Sequence, residues 1–197
     1  MSALTSLLSN IRQCRLCEAD LPLGPRPVLQ CSSQSRILIA GQAPGRKVHQ
    51  SGIPFDDASG ERLRQWLGIN RDVFYDATKI AILPMGFCYP GTGKSGDLAP
   101  RPECAAKWRA SVLSELQQVK LTLVMGQYAQ NWHFPAKPAS LTELVKSWRD
   151  YWPVLIPLPH PSPRNNRWLK QNPWFEQELL PQLESRVKTI LQDQQHE

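Results

Sequence analysis

Four short stretches of this chain are almost wholly apolar, and each runs straight into a loop of glycine, proline or polar residues. They are RILIA (36–40), KIAILPM (79–85), LTLVMG (121–126) and VLIPLP (154–159). Unbroken apolar runs of this length predict strands buried on both faces, because a half-exposed strand would alternate apolar with polar. Between them lie stretches with helical spacing: SGERLRQWLG (59–68), which ends on glycine, ECAAKWRASVLSELQQV (103–119) and SLTELVKSW (140–148). ALTSLLSNIRQC (3–14) precedes the first strand and residues 172–194 follow the last, both helical in pattern. Apolar strands alternating with helices predict an α/β fold, a three-layer α/β/α sandwich with a central four-stranded parallel sheet. At 197 residues, without an internal repeat or linker, the chain is expected to form one domain over 1–197.

In such sheets ligands bind beyond the carboxyl ends of the strands. The unusual loops fall there: GQAPG (41–45), GFCYPG (86–91), GQYAQ (126–130) and HPSPRN (160–165). Gly41 and Gly45 flank Pro44, so backbone amides of this turn can approach a ligand that a Cβ would obstruct. The last loop continues as HPSPRNNRW, a stiff basic segment with one histidine at its root.

A formal charge of +6 is compatible with a polyanionic partner. No apolar run reaches the roughly 18 residues of a membrane span, and the start lacks a basic segment followed by an apolar one, so a cytoplasmic location is expected. Five cysteines without a secretory signal point to metal binding or catalysis rather than a disulfide framework. Cys14 and Cys17 form C-x2-C, and Cys88 and Cys104 are spaced C-x15-C. Four soft thiolates admit an iron–sulfur cluster or zinc, and a reduced, metal-free set is the remaining reading. Cys31 has no partner in this scheme and is expected to be a packed or free thiol.

GQAPG after the first strand and HPSP after the last together resemble the uracil-DNA glycosylase superfamily, whose members carry G-x-x-P-G/Y and H-P-S at these places. SGIPFDDASGERL is similar to the T-G-x-P-F-x-G-x-A-G-x-L-L of the iron–sulfur branch, family 4, and PRPEC resembles the end of that branch's cysteine stretch. The resemblance spans about residues 10 to 185. It implies hydrolysis of the N-glycosidic bond of uracil, or a related deaminated base, in DNA during base excision repair. The base is flipped into a pocket at a cost of a few kcal/mol. It also implies a structural [4Fe–4S] cluster on Cys14, Cys17, Cys88 and Cys104, with zinc as the alternative. A monomer acting on DNA, with no membrane association, is expected.

The same resemblance assigns roles by position. His160 donates to a carbonyl of the leaving base, and Phe55 stacks on its face, with Gly41, Ala43, Pro44 and Gly45 forming the facing turn. Gln42 stands where the family 4 pattern has the glutamate that positions or activates water, and Gln cannot take a proton. Asp56 and Asp57 are candidates for the missing carboxylate, although Asp57 also stands where a helix N-cap belongs. His49 replaces an acid and is open to a catalytic, a phosphate-facing or a solvent-exposed role. Pro84 replaces the Asn that reads the pyrimidine edge, a task then open to the backbone of Met85 and Gly86 or to Gln127. Ser162, Arg164 and Asn165, with Arg167 beyond, are expected at the DNA backbone, and the cysteine loop is expected to hold Lys94 and Arg101 towards it. These departures leave two alternatives: a catalytically weak relative that only binds nucleic acid, and a protein using the same pocket for a free nucleotide or modified base.

Overall fold

The computed structural model describes residues 2–94, 96–136, 138 and 140–193. Helix α1 (Ala3–Arg12) leads to strand β1 (Ile37–Ala40), and three short helices, α2 (Arg46–Ser51), α3 (Ala58–Leu67) and α4 (Arg71–Tyr75), carry the chain to β2 (Ile80–Ile82). A hairpin of two-residue strands, β3 (Thr92–Gly93) and β4 (Gly96–Asp97), precedes α5 (Pro102–Ser114) and β5 (Leu121–Met125). Then come α6 (Gln127–His133), α7 (Leu141–Lys146), β6 (Leu155–Leu158), α8 (Asn166–Gln171) and α9 (Leu180–Asp193).

Strands β1, β2, β5 and β6 form a wholly parallel sheet in the order β2-β1-β5-β6. Its side chains alternate between two covered faces. Ile37 and Ile39 enter a core with Trp66 and Leu67 of α3 and Leu183 and Val187 of α9. Leu38 and Ala81 point the other way, against Leu4 and Ile11 of α1 and Val112 of α5. Ala40 and Val124 complete that second face with Ala129 of α6 and Leu144 of α7. Burying each such aliphatic side chain contributes roughly 1.5–3 kcal/mol, which is why strands of this composition are stable only between two helical layers. The expected three-layer α/β/α sandwich is therefore the observed one.

From β1 the chain moves outward to β2, then crosses back over β1 to β5. The direction of winding reverses at β1, so the crevice at its carboxyl end is the topological switch point, the preferred ligand position in sheets of this kind. GQAPG occupies that place.

The structure also differs from the sequence reading in places. The second strand stops at Ile82, short of the expected residue 85, because Pro84 has no N–H for the ladder. The final helix is regular only from Leu180, after a π-helical turn over Phe175–Leu179. Pro181 explains this: it lacks an amide proton and would clash with the carbonyl four residues back in a continuous α-helix. Gln194, the last residue of the expected C-terminal helix, lies outside the described residues. The segment after HPSP is not a projecting loop throughout, since it becomes a 3-10 turn (Pro163–Asn165) and then α8. Among the described residues no helix is long and apolar enough to cross a membrane.

Candidate active site

The turn after β1 is tied to the turn after β2 by backbone hydrogen bonds. Met85 N–H donates to Gly41 O and Gly86 N–H donates to Gln42 O, both at 2.9 Å. These two amides are therefore engaged within the protein, so of the backbone groups expected to read a base edge the N–H donors of Met85 and Gly86 are already used. Met85 is buried in the second core face. Gln42 packs over the start of the loop after β5, where Gly126 (φ 85°) leaves room for it; a Cβ there would overlap the Gln42 side chain.

Phe55 is the one described non-glycine residue with positive φ (55°), a left-handed conformation that a bulky side chain rarely adopts. Two features hold it. Its ring meets Phe74 edge-on at 6.2 Å, and Gly60 lies so close that any Cβ there would overlap the Phe55 carbonyl oxygen. Backbone strain retained by its surroundings is a recurrent mark of ligand-contacting residues. Asp57 caps α3, its Oδ1 accepting from Gly60 N–H at 2.9 Å, as the helix-start pattern implied. Asp56 turns away to pair with Arg71 at 3.0 Å.

His160 stands where β6 ends. Ser162 N–H donates to its Nδ1 at 3.2 Å, and Asn165 Nδ2 donates to its carbonyl oxygen at 2.7 Å. Arg62 of α3 clamps the same loop, donating to Ser162 O at 3.1 Å and to Asn166 Oδ1 at 2.8 Å. The Ser162 hydroxyl accepts from Arg164 N–H at 3.3 Å, opening the 3-10 turn. Burial holds the His160 imidazole below its ordinary pKa, with the carboxylates of Asp57 and Asp97 pulling the other way. An accepting Nδ1 on a neutral ring leaves the proton on Nε2, so the ring presents one N–H donor.

These parts meet in one cleft of about 480 Å³ at the carboxyl ends of β1, β2 and β6. Gly41, Gln42, Ala43, Pro44 and Gly45 form one wall. Phe55 and Asp57 stand beside them, and His160, Ser162, Arg164 and Asn165 close the cleft from the β6 side. Pro84 also lines it, an apolar surface where the family pattern has an amide. The cleft has a further wall that the sequence reading missed: Gly96 and Asp97 of β4 and Leu98 after it. No motif marks this hairpin in the sequence; it enters the site because the Arg164 guanidinium lies against Gly96, where any side chain would collide.

Other expected residues lie elsewhere. His49 is buried on α2 with its ring 6.0 Å from that of Tyr89, which rules out the solvent-exposed reading. Its Nδ1 has no hydrogen-bond partner among the described residues. Gln127 is exposed at the start of α6 and does not line the cleft. Arg101 pairs with Glu103 at 2.7 Å and Asp20 at 3.1 Å, so it serves the cysteine region rather than reaching out for a polyanion. Lys94 and Arg167 are exposed.

All five cysteines are free thiols. Cys14, Cys17, Cys88 and Cys104 line one small cavity with Phe87, Trp108 and Arg101, brought together as α1 packs on α5. Phe87 N–H donates to Cys104 Sγ at 3.3 Å. Burial raises the Cys88 thiol to about 11 and the Cys104 thiol to about 12. Among the described residues no three His, Cys, Asp or Glu side chains are gathered so that they could hold a single metal ion. The four sulfurs stand around the cavity rather than converging on a point. Cys31 packs against the α1–α5 core face, as Cys104 also does, but does not line that cavity.

The parallel sheet, the glycine-rich turn at its switch point and the histidine at the end of its last strand have a counterpart among known proteins. Residues 29–184 match the family model of the uracil DNA glycosylase superfamily, and the chain belongs to that superfamily of glycosylase-type hydrolases.

Proposed function

We propose that this protein is a DNA glycosylase that hydrolyses the N-glycosidic bond of uracil, or of a related deaminated base, as a step of base excision repair. One observation carries the reading: the Nε2–H of His160 and the ring of Phe55 belong to the same cleft at the sheet's switch point. A base flipped from the stack enters the cleft, with Phe55 against its face. As the bond from C1′ to the base breaks, the electron pair goes to the base, and His160 donates to the carbonyl oxygen on which negative charge grows. A donor that binds this charge more strongly than the ground state accelerates the step, and losing one typically costs about 10²–10³-fold. Water then adds to the oxocarbenium-like sugar. Arg164, at the mouth, and exposed Arg167 supply positive charge for the phosphates on either side of the extruded nucleotide.

The protein belongs, in this reading, to the iron–sulfur branch. Four thiols around one cavity walled by Phe87 and Trp108 are a donor set suited to a [4Fe–4S] cluster, with Cys14, Cys17, Cys88 and Cys104 as ligands. A zinc ion would require four sulfurs about 2.3 Å from one point. The group would be structural, tying α1 to the loop that carries the β3–β4 hairpin. Purified protein would be brown and contain iron and sulfide, and each Cys→Ser variant would lose both.

The test of function is incubation with single- and double-stranded oligonucleotides carrying uracil, hypoxanthine or xanthine, followed by alkali. Strand scission at the modified base is expected. Salt-sensitive binding with no scission on any base would favour a binding module instead, the reading that Gln42 and Pro84 support.

A further inference from the structure

The glycosylase reading leaves one task without a group. Water that adds to C1′ must lose a proton, and the carboxamide of Gln42 cannot accept it. Two carboxylates line the cleft among the described residues, Asp57 and Asp97. Asp57 is committed to the first turn of α3, where its Oδ1 accepts from Gly60 N–H as the helix N-cap. Asp97 caps no helix. It sits on β4, where the Thr92 hydroxyl donates weakly to its Oδ1 at 3.4 Å. Its Oδ2, which has no hydrogen-bond partner among the described residues, lies 3.4 Å from where a Cβ on Gly45 would stand and so overhangs the GQAPG turn in which Gln42 is set. The hairpin and the HPSP loop close over the same space, because Arg164 rests against Gly96.

We infer that Asp97 is the carboxylate that takes the proton from the attacking water, a catalytic role that rests on the glycosylase reading and that no residue of the GQAPG turn can fill. The C1′–base bond breaks with its electron pair leaving on the base. The water oxygen bonds to C1′, its proton passes to Asp97, and that proton is returned to the departed base or to solvent. Before the water adds, the same negative charge stabilises the oxocarbenium character of the sugar. The charge of Asp97 is felt by His160 across the cleft, as expected of two groups that face one reacting nucleotide.

The experiment compares wild type, Asp97→Asn and the double variant Asp97→Asn/Gln42→Glu on whichever base-containing oligonucleotide wild type cleaves. Asn retains the contact with Thr92, and thermal unfolding verifies that the hairpin survives. Expected is a fall in single-turnover rate of about 10²-fold or more in Asp97→Asn, with oligonucleotide affinity within about threefold. Gln42→Glu, which restores a carboxylate on the facing turn, should recover at least about tenfold of that loss, a rescue that a merely structural role for Asp97 would not show. An Asp97→Asn rate within about threefold of wild type would overturn the assignment while leaving the glycosylase reading intact. So would equal losses of rate and affinity without rescue. If wild type cleaves no base, the glycosylase reading itself falls, and the role of Asp97 with it.

Discussion

Ser162 N–H donates to Nδ1 of His160 at 3.2 Å, so the backbone of the loop decides which ring nitrogen carries the proton. A neutral imidazole with Nε2–H is a donor that need not be charged to work, and burial keeps it neutral around pH 7. His160→Ala should therefore lower the single-turnover rate by about 10²–10³-fold and change oligonucleotide affinity little, because the hydrogen bond strengthens only as the base becomes anionic. Rate and affinity measured on the same oligonucleotide decide the matter; parallel losses would contradict the role.

Gly60 offers a test in which two effects have opposite signs. It lies within α3, where helix propensity alone favours Ala over Gly by about 1 kcal/mol. A Cβ at this position would overlap the Phe55 carbonyl, a backbone atom that cannot rotate away. Gly60→Ala is thus expected to destabilise by about 2 kcal/mol or more and to dislodge Phe55 from its left-handed conformation. A shifted urea midpoint would show the first effect, and a weakened interaction with base-containing oligonucleotides the second. A more stable variant would mean that the loop yields.

Asp57 combines a structural duty with a place in the cleft, and two substitutions separate them. Asp57→Ala removes the cap and should cost about 1 kcal/mol of stability. Asp57→Asn retains an acceptor for Gly60 N–H and should be nearly as stable as wild type. If Asp57 acts as cap and as a source of field on His160, Asp57→Asn lowers turnover by less than about tenfold, well short of the loss expected for a general base. A loss as large as that of Asp97→Asn would identify Asp57 as the base.

The layers of this fold are legible because they rest on local pattern. Apolar runs such as ILIA, too uniform to face water, announce a sheet covered twice, and the loops at their ends place the cleft. The position of Asp57 as a cap follows from the same kind of local rule. What was not legible depends on contacts distant in sequence. Asp97 looks like any acid in a glycine-rich loop until a hairpin brings it into the cleft that His160 lines. Met85 and Gly86 look like available backbone donors until their amides are found bound to Gly41 and Gln42. His49 reads as a polar site residue, yet the packing of α2 buries it. That Cys14, Cys17, Cys88 and Cys104 would line one cavity was legible in their spacing, but how their sulfurs stand around it was not. Nor was the reason Arg109 is buried, since no local pattern distinguishes it from the surface arginines.

Arg109 of α5 is fully buried, and its Nη1 donates to the carbonyls of Leu83 (3.1 Å) and Pro84 (3.3 Å), which lead from β2 towards the cleft. Its Nη2 donates to Nε2 of His133 at 2.7 Å, and no carboxylate pairs with it among the described residues. His133 can accept this bond only while neutral, and burial together with the Arg109 charge presses its pKa down to about 4. An unfolded histidine titrates near 6.5. Between these values the unfolded chain binds a proton that the folded protein does not, so stability is fully present above pH 6.5 and falls as the pH drops towards 4. The loss attributable to His133 is on the order of 3 kcal/mol. Burial also lowers the pKa of His49 and His160, which adds to the slope in the same direction. His133→Gln keeps an acceptor for Arg109 but cannot take the proton. Urea midpoints at pH 7.5 and 4.5 should therefore differ less in this variant than in wild type, and equal differences would show that the buried arginine does not depend on a neutral His133.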